Sequence, residues 1–229
     1  MNLHIGDIVI ELIRKPIKNI YIRIDREGGV KVSAPRACSD DYIKQFVESK
    51  QDWILKHTKI VKARQPYSSL QFISGESHWY LGNPYCLTIQ TNAKKNQIEL
   101  APPLLHFFVK ENSTQASMEK IMYAWYRSEL KKILPALITK WESIIGVQVQ
   151  EWGIKRMKTR WGTCNPRAQR IWLNLSLIKK PLRCLEYVLV HEMVHLLEAS
   201  HNKRFYAFMD RFLPEWKVIR KELKTFENK

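Results

Sequence analysis

Residues 187–206, YVLVHEMVHLLEASHNKRFY, restrict what this chain can fold into more than any other stretch. Val188, Leu189, Val190, Met193, Val194, Leu196 and Leu197 are what a buried helix carries, and His191, Glu192 and His195 stand inside that apolar run. Residues four apart lie one above the other on a helix, so His191 and His195 share a face and can hold one metal ion. Glu192 is turned about 100° around the same helix and can reach water at that ion. Two histidines and a glutamate are costly to bury without a partner, which a metal provides.

A catalytic zinc ordinarily keeps three protein ligands and one open position. His201, ten residues after His191, is the leading third ligand. Ser200 is a suitable N-cap for a following helix over 203–212, which places His201 at the turn between two helices. The spacing is that of the metzincins, but Glu198 stands where their bend glycine belongs. Glu198, Glu215 and Glu222 are the rival third ligands, because some zincins use a glutamate from a later helix.

Charge is the second informative quantity. The chain of 229 residues carries 38 Lys and Arg against 22 Asp and Glu, a net charge of +16. From 155 to 183 there are nine basic residues (Lys155, Arg156, Lys158, Arg160, Arg167, Arg170, Lys179, Lys180, Arg183) and no acid. Such a stretch is either a solvated face or a wall that draws an acidic substrate, DNA or RNA toward the metal helix. With 45% hydrophobic residues the chain is globular and not disordered. No apolar run approaches a membrane span, and a charged residue comes too early for a signal peptide. Cys38, Cys86, Cys164 and Cys184 are scattered, which suits free thiols in a reducing cytoplasm, so a cytoplasmic location is expected.

Read in order, residues 8–13, 19–25 and 30–34 are expected strands, with Gly28-Gly29 as a turn. Ser39-Asp40-Asp41 starts a long helix from 42 to about 64, and a polar break covers 65–71. Strands at 78–81 and 85–91 flank Gly82-Asn83-Pro84, and a short strand covers 98–100 before Pro102-Pro103. His78 reads as an ordinary, partly buried histidine. A helix over 113–145, interrupted or kinked at Pro135 and closed by Gly146, opens the second domain. Strands at 147–152, 158–161 and 171–175 precede the metal helix, which Pro181 can start. Two helices separated near Pro214 end the chain. No internal repeat is visible. The expected class is α+β: an N-terminal domain over 1–105, and a zincin-like C-terminal domain over 106–229 with a short sheet and the metal helix.

Arg160-Trp161-Gly162-Thr163-Cys164, Ile171-Trp172-Leu173-Asn174, the 187–195 helix, His201-Asn202, Phe205-Tyr206 and Leu213-Pro214 together resemble the YgjP-like metallopeptidases. These are cytoplasmic bacterial proteins related to SprT-like and Spartan-type zinc proteases. The likeness is specific over about 105–229 and looser before it, through Gly75-Glu76 and the 81–85 stretch. It implies zinc (Zn2+) held by His191, His195 and His201, with Glu192 as general base. Thr163 replaces the family's usual serine and Val194 its frequent alanine; neither is a proposed ligand.

The resulting expectation is a zinc-dependent peptidase acting on peptide or protein substrates, with nucleic acid as a further partner through 155–183 and no membrane association. The rival is a nucleic-acid-associated binding protein with a structural zinc, which would need a fourth Cys or His ligand; Cys164 and Cys184 are the only nearby thiols, and neither has ligand spacing to the helix. The Arg160–Trp161 strand is expected at the edge of its sheet, where an extended substrate backbone can pair with it. Arg160 and Tyr206 are candidates to stabilise the oxyanion.

Overall fold

The computed structural model describes residues 2–5, 8–25, 28–63 and 70–226. It divides into two compact units, Met1–Ser69 and Leu70–Lys229.

The first unit holds the four-stranded sheet β1 (Asn2–Ile5), β2 (Ile8–Lys15), β3 (Tyr21–Ile24) and β4 (Val30–Pro35), in the order β1-β2-β4-β3. Alternation along β2 and β4 turns Ile10, Leu12, Val32 and Ala34 inward, where they meet Ile43, Val47 and Ile54 from the helices that follow. Those helices are α1 (Asp40–Glu48), capped by Ser39, and α2 (Gln51–Ala63). One helix to about residue 64 was expected. Instead it breaks at Ser49, whose hydroxyl donates to the Phe46 carbonyl at 2.7 Å and so competes with helix continuation. Most of the expected polar break, residues 65–69, lies outside the described residues.

The second unit begins with another four-stranded sheet: β5 (Ser77–Tyr80), β6 (Asn83–Gln90), β7 (Gln97–Ala101) and β8 (Leu104–Phe108). Its order, β5-β6-β8-β7, repeats that of the first sheet strand for strand. Both sheets run antiparallel, parallel, antiparallel across the order. In both, the first two strands are four and eight residues long and joined by two residues. The duplication is a property of pairing, and the two stretches share no repeat in their residues. β1 and β8 were not foreseen. β8 follows two prolines, and its buried Leu105 and Phe107 belong to the second core, so a domain boundary at 105/106 falls within a strand.

Next comes α3 (Gln115–Ile145), capped by Thr114 and ended by Gly146; it continues through Pro135. It places Met122, Tyr126, Leu130, Leu134, Ile138 and Trp141 in the second core. A three-stranded sheet follows, β9 (Glu151–Lys155), β10 (Gly162–Asn165) and β11 (Arg170–Asn174), in the order β10-β11-β9. A 3-10 turn over Leu175–Lys179 leads into α4 (Leu182–Val194), and α5 (Lys203–Phe212) and α6 (Trp216–Phe226) complete the unit. Helices and small sheets are segregated along the chain, which makes the class α+β. No described helix is long and apolar enough to cross a membrane.

The β5–β6 turn supports α4 directly. Leu81 and Gly82 both take positive φ, 47° and 87°, as a two-residue hairpin loop requires. The Leu81 N–H donates to the Ile178 carbonyl at 2.7 Å, and a Cβ on Gly82 would lie 2.8 Å from Pro181 Cγ. Only glycine satisfies both the backbone and this close approach.

Candidate metal centre

Helix α4 is buried on nearly every side: Cys184, Leu185, Leu189, Val190, Met193 and Val194 have no exposed surface. Its last turns carry His191 and Glu192, and His195 forms its C-cap in helical conformation, so the four-residue spacing is kept. The chain then turns, and Asn202 caps α5 by accepting from the Phe205 N–H at 3.0 Å. Ser200, the expected cap, is bypassed because the chain needs two more residues to bring His201 back over α4. One ligand nitrogen from each of His191, His195 and His201 lies within 4.8 Å of the other two. Phe205, fully buried, packs against all three imidazoles, with ring centroids 4.7–4.9 Å away.

The donor set suits a divalent cation. His191 Nε2 and His201 Nε2 are 2.9 Å apart, a contact that two lone pairs cannot hold without a proton or a cation between them. Burial pushes His191 down to about 3, with the neighbouring His195, His201 and Arg220 adding to the effect, so its imidazole is neutral. Burial also lowers His195. His195 Nδ1 donates to the Glu198 carbonyl at 3.1 Å, which orients the ring and frees its other nitrogen for a metal. The rival ligands stand apart from the cluster among the described residues. The Glu198 carboxylate accepts from the Ser200 N–H, and Glu222 is paired with Arg183. Cys164 and Cys184 also stay outside, their thiols pushed up by burial to about 12 and about 11.

Glu192 is 6% exposed. A Cβ on Gly162 would lie 2.7 Å from its Cγ and Oε1, so the start of β10 covers the carboxyl as closely as a backbone can. Burial raises Glu192 to about 8, against a smaller opposing pull from Arg160. A cleft of about 310 Å³ opens above, lined by residues 159–162, by Tyr187, Val188, His191 and Glu192 of α4, by His201 and Tyr206, and by Trp216, Arg220, Leu223 and Lys224 of α6. β10 is an edge strand, but the edge strand expected to carry Arg160 and Trp161 does not form, since β10 begins after them.

Asn174 sets that wall in place. It is 5% exposed, and its side-chain amide donates to the Met157 and Arg160 carbonyls at 2.9 and 2.8 Å. Its backbone N–H donates to the Trp161 carbonyl at 2.8 Å. Residues 158–161 are therefore a loop tied down by one buried amide and not the strand their composition suggested. The motif around Asn174 marked it in the sequence, but no spacing rule assigned it this task. The α6 residues of the cleft carried no sequence signal at all.

The basic residues of 155–183 do not form one wall. Arg156, Arg170 and Arg183 are paired with Glu119, Glu151 and Glu222. Lys155 lies over the Trp172 ring at 3.7 Å, and Lys180 is buried beside Trp161. Burial lowers the Lys179 ammonium. A DNA or RNA partner has no support in these contacts. His78 is more buried than expected, at 2% exposure, and its Nε2 faces the Glu76 carboxylate at 3.1 Å.

No curated protein matches the chain. Among solved structures, it is similar to the crystal structure of the metallopeptidase zymogen of Pyrococcus abyssi abylysin, at 22% identity and a TM-score of 0.37, over 40% of this chain and 91% of that chain. The family model for the YgjP-like metallopeptidase domain matches residues 18–226. Since that match runs through both compact units and not only the one with the histidines, the chain belongs to the YgjP-like metallopeptidase family, metal-dependent hydrolases of peptide bonds.

Proposed function

We propose that the protein hydrolyses peptide bonds with a zinc ion held by His191, His195 and His201, and that Glu192 carries the proton. The convergence of three imidazole nitrogens beside a covered glutamate, at the foot of an open cleft, is the observation that carries this reading. A zinc ion there supplies a Lewis acid for the scissile carbonyl and lowers the pKa of water to about 7. Glu192, held under Gly162, takes the proton from the attacking water and returns it to the leaving amine. Substrate backbone pairs along the free edge of β10, which gives affinity without demanding a sequence. Arg160, fixed by Asn174, and Tyr206, stacked on Trp216 at 5.4 Å, are the donors available to the developing oxyanion.

Anomalous scattering at the zinc edge and a set of variants test this. Glu192→Gln should keep one zinc per chain and lose hydrolysis by a factor of about 10² to 10⁴. His191→Ala, His195→Ala and His201→Ala should each lower bound zinc. Full hydrolysis by the Glu192→Gln protein would remove Glu192 from the mechanism, and unchanged zinc affinity in His201→Ala would return the third ligand to Glu198, Glu215 or Glu222.

A further inference from the structure

We propose that the α6 wall of the cleft selects substrates by a carboxylate, which Arg220 and Lys224 bind; this rests on the peptidase reading above. Arg220 and Lys224 are one turn apart on α6, and both line the cleft. Both are exposed, and among the described residues neither is paired with a carboxylate. Neighbouring cations are treated differently. Arg183 is paired with Glu222 at 2.6 Å, and Lys217 with Asp210 at 3.2 Å. Among the described residues, the acids of these two pairs lie outside the lining of the cleft, while two like charges at i and i+4 are part of it. Such a pair is mutually repulsive on an isolated helix, and a bound anion relieves the repulsion.

The remaining lining gives the pocket a second property. Arg160 adds a third cation, and Glu192, buried beneath Gly162, is the only carboxylate of the lining among the described residues. Tyr187, Val188, Trp216 and Leu223 are each at most 7% exposed and form an apolar base. Methylene groups can rest on that base while a terminal carboxylate meets the two cations, an arrangement that suits an acidic residue of a peptide. The same chemistry is offered by the free carboxylate at a peptide's C-terminus.

The test uses the full-length, zinc-loaded protein and quenched peptides that differ at one scanned position, Glu, Gln or Lys. Each is made with an amidated and with a free C-terminus. The kcat/KM for amidated Glu peptides should exceed that for Gln peptides by about fivefold, the effect of an exposed charge pair, and Lys peptides should be poorest. A gain confined to free C-termini would assign the carboxylate to the chain end. Arg220→Glu with Lys224→Glu should invert the Glu-to-Lys ratio; the milder Arg220→Gln with Lys224→Gln should flatten it, with zinc content measured in both. Peptide affinities for the Glu192→Gln protein give the same comparison without turnover. Charge-selective binding with no hydrolysis of any peptide would sink the peptidase reading alone. Hydrolysis and binding indifferent to charge, or a preference that survives both double variants, would sink the carboxylate site.

Discussion

The two four-stranded sheets have one topology and two fates. The first closes on its own helices: Ile10, Val32, Ala34, Ile43, Val47 and Ile54 make a small aliphatic core. Its ion pairs among the described residues, Arg14 with Asp40 and Lys31 with Glu11 and Asp25, are on the surface, where such pairs contribute little. The second sheet places Leu87, Leu105 and Phe107 in a core shared with α3, α4 and the later helices. Its β5–β6 turn also presses against the start of the metal helix through Leu81 and Gly82. The same strand order therefore acts as a self-contained support in one place and as a brace for chemistry in the other. What packs on a sheet, and not the sheet's topology, decides its part in function.

Core truncations should separate the two most strongly. Leu189→Ala in α4 and Ile10→Ala in β2 each remove a fully buried aliphatic side chain and should cost about 2–5 kcal/mol of stability in guanidinium titrations. Leu189→Ala should also release zinc to a chelator, whereas Ile10→Ala should leave zinc affinity unchanged below its own unfolding transition. Equal zinc loss in both would break the contrast. Gly82→Val forces a β-branched residue into positive φ and against Pro181, so a loss of about 2–3 kcal/mol is expected. Weaker zinc retention should accompany it, and normal retention would show that the turn does not brace α4. Asn202→Ala is the mildest change. Loss of the α5 cap should cost about 1 kcal/mol and loosen His201, which zinc competition measurements would report as reduced affinity at nearly normal stability.

The residues of 187–195 made the site legible because helix periodicity is local. An apolar run with histidines four apart can form only one face, whatever surrounds it. The short strand β11, expected one residue later, the Gly146 helix end and the start of α4 at Pro181 were readable for the same reason. Ranking His201 above Glu198, Glu215 and Glu222 was different, since it depends on how the turn after α4 folds back. The recurrence of one sheet topology also lay beyond the sequence, because pairing order is a long-range property that unlike residues can share. Tertiary packing alone made Asn174 the anchor of the 157–161 loop and divided the basic stretch among Glu119, Glu151, Glu222 and aromatic rings. It also brought Arg220 and Lys224, two helices further along the chain, to the cleft. The spacing of His191 and His195 is written along one helix, but the walls of a cleft come from elements that meet only when hydrophobic burial folds them together.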